Sequence, residues 1–368
     1  MSHLALFLAG DVMTGRGIDQ VMLQSSPPQL QEQWVRDARD YVGLAERANG
    51  PIPAPVAADY IWGDALAELR TARPDLRIIN LETSVTRSDQ AWPGKGIHYR
   101  MHPGNLDCIT AAGIDACALA NNHVLDWGRA GLQETLESLH GAGLRTAGAG
   151  PDRAAAWAPA AFELPTGGRL LLFSLATPSS GVPPEWAATA TASGVAWLPD
   201  LSDRSLAQVS AAVARHRRSG DRVIVSIHWG GNWGLAIPAA HRRFAHRLIE
   251  EGVCDLVHGH SSHHPLAVEV HKGRLILYGC GDLINDYEGI GAHGELRSDW
   301  GCLYFPTLDA RSGALLRLMI VPMELRRFRL VRAGPSAREW LERMFREQGS
   351  ALGSSVEREA GGWALRWR

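Results

Sequence analysis

The chain has 368 residues, 45% of them apolar and 21% charged, with a formal net charge of -2 at neutral pH. These are the proportions of a globular protein with a substantial core, which excludes a disordered or fibrous chain. The near-zero charge excludes a bulk basic footprint, so no nucleic-acid partner is expected.

Residues 1–10 are apolar, but a membrane-spanning helix needs about 20 such residues. They also lack the basic start and the cleavage site of a secretory signal. The expectation is a cytoplasmic chain without a membrane anchor. The five cysteines, Cys108, Cys117, Cys254, Cys280 and Cys302, fall mostly within apolar runs and form no CxxC pair. They read as buried small side chains kept reduced.

In chain order, residues 4–8 read as a short buried strand, 59–71 as a helix capped by Asp59, and 76–80 as the next strand. Residues 103–112 read as helix, 115–119 as strand, 128–141 as a helix ending at glycine, and 170–176 as a strongly apolar strand. The second half repeats the alternation, with helix 206–218, strand 223–227, helix 239–251 and strand 254–257. A hairpin over 266–270 and 275–278, turning at Lys272 and Gly273, comes next, then strands at 303–305 and 315–323. Segment 24–58, rich in Pro, Gln and Ala, and proline-rich 177–200 read as long inserted loops. From Ala337 a helix leads into a Gly/Ser-rich tail. The pattern predicts an α/β fold with a largely parallel core and a mixed sheet. It divides into one domain over 1–330 and a helical extension over 331–368.

The polar clusters fall at the ends of the apolar strands, where open α/β sheets gather their ligands. Asp11, after Gly10, offers a hard oxygen ligand or marks an ordinary strand-end turn. Glu82, after Asn80 and Leu81, bridges two cations or is a solvated carboxylate. Asn122 offers a neutral oxygen and His123 a proton, while Asp126 either orients His123 or caps the next helix. His228 ends its strand and precedes Trp229, Gly230 and Gly231, where glycine lets a ligand approach the backbone. His258, His260, His263 and His264 fall within seven residues, the strongest local signal for metal ligation. Asp282, Asn285 and Asp286 orient histidines or shape a turn. A dinucleotide-binding fold ranks low, because Gly10, Gly15 and Gly17 do not have the GxGxxG spacing.

The ordered motifs GDVM, NLET, ANNHVLDWG, SIHWGGNWG, GHSSHHP and YGCGDLIND, spread over residues 4–286, resemble the bacterial capsule-synthesis CapA/PgsA family associated with poly-γ-glutamate. That family is related in fold to calcineurin-like metallophosphoesterases. The resemblance implies a four-layer αββα sandwich of two mixed sheets with a metal site at the strand ends. It implies two divalent ions (manganese, zinc or iron), with Glu82 bridging, Asn122, His228 and His260 on one, and Asp11 and His263 on the other. His123, Asp126 and Arg16 are then the candidate catalytic groups. Trp229, Trp233, Asp282 and Asn285 are the candidate substrate contacts. Met13 stands where the phosphoesterases carry histidine, so the two metal positions are expected to be unequal. The implied activity is metal-dependent hydrolysis of a phosphoester or a γ-glutamyl-type amide, in a small molecule or a polyglutamate. The alternative is a non-hydrolytic, polymer-binding assembly protein with a structural metal.

Overall fold

The computed structural model describes residues 3–165, 167–291 and 294–368. Its organisation follows from the opening strand, His3–Val12. Leu4, Leu6 and Leu8 enter one hydrophobic core and Phe7 and Ala9 another. That period-two alternation, apolar on both faces, is what a central strand of a covered sheet requires.

The strand sits inside a ten-stranded sheet. On one side Leu76–Leu81, Ala116–Ala118 and Arg145–Ala147 follow in parallel. On the other, Trp300–Asp309 and then Leu315–Arg326 run antiparallel. A six-stranded sheet faces it, in which Arg222–His228 lies parallel between Arg169–Ala176 and Leu256–His260. Arg274–Leu277 adds in parallel, and Val268–His271 and Ala160–Glu163 close the two edges antiparallel.

Three cores separate four layers. Leu4, Leu6, Leu8 and Ile78 meet Leu170, Leu172, Ile224 and Leu256 between the sheets. Ile79 and Cys117 pack outward on Leu69 and Ile109 and on Leu132, Leu136 and Leu139 of helix Gly128–Gly141. Phe173, Val225 and Ile227 pack outward on helices Asp203–His216 and Ala239–Glu250. The result is the expected αββα sandwich of two mixed sheets. All five cysteines are buried and free. Among the described residues no helix is long and apolar enough to cross a membrane.

Several elements differ from expectation. The helix expected from Asp59 starts at Ala65, after a short 3-10 turn at Tyr60–Trp62. Gly63 breaks it: its φ is +43°, and a Cβ there would lie 2.1 Å from the Leu330 carbonyl oxygen. The helix expected over 103–112 is likewise split, into Pro103–Asn105 and Asp107–Thr110. The 24–58 segment holds an 11-residue helix, Arg39–Asn49, anchored by buried Tyr41 and Ala45 one turn apart. The segment after 331 is not only helical. After Pro335–Ser350 it forms the hairpin Ser354–Glu359 and Gly362–Trp367, which extends the large sheet. Buried Val356, Trp363 and Leu365 draw it onto the inter-sheet core. The hairpin at Lys272 and Gly273 is as expected, with both residues at positive φ, as a type I′ turn demands.

The two sheets are joined by backbone where the functional residues lie: residues 278–281 lead from Arg274–Leu277 of the small sheet to Asp282–Ile284, which pairs in parallel with the first strand in the large one. The Asp11 N–H donates to the Gly281 oxygen at 3.0 Å, and the Cys280 N–H to the Gly259 oxygen at 2.9 Å. A Cβ on Gly10 would lie 1.8 Å from the Gly281 oxygen, so only glycine permits this approach. Gly10→Ala is therefore expected to destabilise the fold by about 2–3 kcal/mol, read as a lower denaturant midpoint. An unchanged midpoint would show that the seam is loose.

Candidate metal centre

The centre is assembled by strand register. On neighbouring parallel strands, His228 stands directly opposite His260, and on the first strand Asp11 stands opposite Asn80. The register of the first strand slips between Leu8 and Asp11, an irregularity of the kind that re-aims side chains beside active sites. Ligand atoms of Asp11, His228 and His260 all lie within 4.8 Å of one another. His228 Nδ1 is 2.8 Å from His260 Nδ1, and its Nε2 is 2.9 Å from Asn122 Oδ1 and 3.8 Å from Glu82 Oε1. Asn80 donates to Asp11 Oδ1 at 2.7 Å and the Ser261 N–H to Oδ2 at 3.2 Å, which fixes the carboxylate. Ser261 holds a φ of +107°, a strained backbone for a non-glycine residue, immediately after His260.

Of the four clustered histidines, two serve the seam and the neighbouring loop. His258 reaches the Ala9 carbonyl through Nε2 at 2.8 Å, and His264 accepts the Gly234 N–H at 3.2 Å. His263 directs Nδ1 to Asp282 Oδ1 at 2.9 Å, and Asn285 donates to the other Asp282 oxygen at 2.8 Å. Asp282 and Asn285 are buried. Their hydrogen bonds tie them to His263 and to the Ser298 carbonyl. Asp11, expected with His263 on a separate ion, instead shares one cluster with His228 and His260.

His123 stands at the other side of Glu82, with Nε2 3.7 Å from Oε1. Its Nδ1 is 2.6 Å from Asp126 Oδ2, which also accepts the Tyr99 N–H at 2.6 Å. Asp126 thus orients His123 and makes no cap to helix Gly128–Gly141. Lys95, which sequence reasoning missed, is 2.6 Å from Asp126 Oδ1 and 3.0 Å from His123 Nδ1.

Two expected site residues sit elsewhere. Arg16 is buried, with four guanidinium hydrogen bonds, two to Asp286 and one each to Glu32 and Tyr41. It clamps the 24–58 segment rather than offering its donors to a substrate. Trp229 belongs to the outer core of the small sheet, stacked on His241 at 4.4 Å with its indole N–H on the Tyr278 oxygen. Trp233 is half-buried, with its ring 5.3 Å from that of His263.

The electrostatics fit a divalent cation. Burial, and then the nearby Asp282, push Asp11 up to about 7. Burial, followed by Asp11, pushes Glu82 well above the usual carboxylate range. Glu82 Oε2 is buried with no hydrogen-bond partner among the described residues. Burial holds His228 and His260 well below the usual imidazole range, so both are neutral, the state in which imidazole binds a metal. Two carboxylates that lack positive charge, beside two neutral imidazoles and an amide oxygen, form a hard-to-intermediate N/O donor set.

The double variant His228→Ala with His260→Ala is expected to lose the metal of this centre, read by elemental analysis after desalting as a lower metal content than that of the unmutated chain. In the unmutated chain, metal at about one hundred times its dissociation constant should add about 2.7 kcal/mol to the unfolding free energy. An unchanged metal content in the double variant would place the ion elsewhere.

Residues 5–287 match the family described as bacterial capsule synthesis protein PGA_cap. The chain is 47% identical over 339 residues to a probable polyglutamine synthesis accessory protein of Mycobacterium tuberculosis, covering 92% of this chain and 89% of that one. It is 24% identical over 284 residues to the PGA biosynthesis protein CapA of Bacillus subtilis, covering 77% of this chain but only 63% of that one. A structure of a novel phosphatase from Mycoplasma pneumoniae superposes with a TM-score of 0.49 at 12% identity, over 92% of this chain and 97% of that one. That likeness is too loose to carry an argument. The extent of the family match and the closeness of the mycobacterial relative place this chain in the bacterial capsule synthesis PGA_cap family.

Proposed function

We propose that the chain is a divalent-metal-dependent hydrolase. Its substrate would be a phosphoester or a γ-glutamyl-type amide, in polyglutamate, capsule or related peptide metabolism. The observation that carries this reading is the aim of His123: Nδ1 is tied to Asp126, and Nε2 faces Glu82 at 3.7 Å. Asp11, Glu82, Asn122, His228, His260 and His263 would hold the metal, two ions of manganese, zinc or iron in this reading, which would supply Lewis acidity and lower the pKa of a bound water. Met13, where the phosphoesterases carry histidine, would leave the two positions unequal.

The chain's own groups do the rest. Burial brings His123 down to about 4, against the opposing pull of Asp126, so the ring is neutral at physiological pH. With the proton on Nδ1 facing Asp126, Nε2 takes a proton from the attacking water and returns it to the leaving oxygen or nitrogen. Lys95 beside Asp126 balances that carboxylate. Trp233 borders the approach beside His263. The names of the relatives, polyglutamine synthesis accessory protein and PGA biosynthesis protein, favour a glutamate-polymer setting. The buried free thiols favour a reducing, cytoplasmic location.

A second reading, a structural metal in a non-hydrolytic assembly protein, draws on one observation. Asp11 and His260 are fully shielded and Glu82 is only 2% exposed. The two readings separate by assay. Metal-loaded protein should turn over a model phosphoester or poly-γ-glutamate, and His123→Ala should lower kcat about 10²–10⁴-fold with metal content unchanged. If metal-loaded protein cleaves neither substrate, the hydrolase reading fails and the structural one stands.

A further inference from the structure

A second cluster of metal-ligating side chains lies on the outer side of the small sheet, away from the centre above. On helix Ala239–Glu250, His246 and Glu250 are four residues apart and share a face. On strand Val268–His271, Glu269 and His271 are two apart and also share a face. The fold lays one face against the other. His246 Nε2 is 3.0 Å from Glu269 Oε2, and His271 Nε2 is 2.9 Å from Glu250 Oε1. Ligand atoms of His246, Glu269 and His271 lie within 4.8 Å of one another.

We propose that His246, Glu250, Glu269 and His271 bind a zinc-class divalent ion that staples the helix to the edge strand of the small sheet. Two imidazoles and two carboxylates are a complete four-coordinate set for zinc. Bonds of about 2.0–2.1 Å place tetrahedral donors roughly 3.3 Å apart; the pairs His246–Glu269 and His271–Glu250 are already at 3.0 and 2.9 Å, and Glu250 must swing in to complete the group. The imidazole rings stack at 3.8 Å and within 3° of parallel, so they must tilt to share an ion. Side-chain exposures of 24% for His246 and 21% for His271 leave them room to do so and leave the ion a path from solvent. Glu269 is pre-oriented: Arg242 holds Oε1 at 3.0 Å, and the Tyr278 hydroxyl donates to Oε2 at 2.5 Å. Such outer hydrogen bonds are what fix ligating carboxylates. Lys272, 3.5 Å from Glu250 and 62% exposed, is a cation that the ion would displace, while Arg242 stays on the other oxygen of Glu269.

The alternative is a surface ion-pair network with no metal, and zinc content tells them apart. The His228→Ala/His260→Ala chain would be stripped with chelator, reloaded with zinc and desalted. Adding His246→Ala and His271→Ala to that chain is expected to remove one zinc equivalent. The same difference is expected between the unmutated chain and His246→Ala/His271→Ala alone, which gives a reading even if the first variant does not fold. Cobalt(II) is expected to give visible tetrahedral absorption that depends on His246 and His271. Equal zinc content in either comparison of folded proteins overturns the proposal. Because the first comparison is made with the primary centre already disabled, its failure leaves the hydrolase reading untouched.

Discussion

The centre depends on one constraint, the close fit of Gly10 against the connection, residues 278–281, that joins the two sheets. Strand ends of different sheets ordinarily stand about 10 Å apart, separated by side chains. Here the missing Cβ of Gly10 lets the first strand lie directly on the Gly281 carbonyl. The Asp11 N–H then pairs with that carbonyl within the large sheet, and His258 of the small sheet bridges to the Ala9 carbonyl. That contact carries Asp11 into reach of His228 and His260, which belong to the other sheet. His258, buried in the densest histidine run, is thus a strut between sheets, and its neighbour two residues on is the ligand.

The second feature is an uneven distribution of charge. Burying a carboxylate without a partner is costly, and the fold avoids this almost everywhere. Asp286 and Glu32 share Arg16, Asp221 takes Arg169, and Asp126 takes His123 and Lys95. Buried Asp19 and Glu288 instead accept several backbone and amide N–H groups. Asp11 and Glu82 stand apart: burial and then Asp282 raise Asp11, burial and then Asp11 raise Glu82, while His228 and His260 beside them are held neutral.

Much of this was legible in the chain, because strand ends and polar residues coincide. The apolar runs before Asp11, Asn122, His228 and His260 located both the strands and the crevice. Roles were harder to read than positions. Arg16 and Trp229 flank the motifs in sequence but turn away from the crevice: one is captured by Asp286, the other by the core beneath Tyr278. Lys95 gave no signal, since it sits in a glycine- and proline-bearing loop whose path is set by tertiary contacts with Asp126. The terminal hairpin escaped notice because its flanking Gly and Ser residues masked the alternation of Val356, Trp363 and Leu365. The helix at Arg39–Asn49 was hidden by Gly43 and by the composition of the segment around it.

The central place of the first strand bears on how the chain is made. It leaves the ribosome about 300 residues ahead of one of its two main neighbours, residues 300–309: His3 pairs with Asp309. Until that partner has been synthesised, that edge of the strand is open, with apolar Leu4, Leu6 and Leu8 still lacking part of their covering. Pairing across some 300 residues is slow to form and exposes a sticky edge meanwhile. The nascent chain therefore carries an incomplete sheet while those residues are made, and its window of vulnerability to aggregation closes only when the partner strand has emerged.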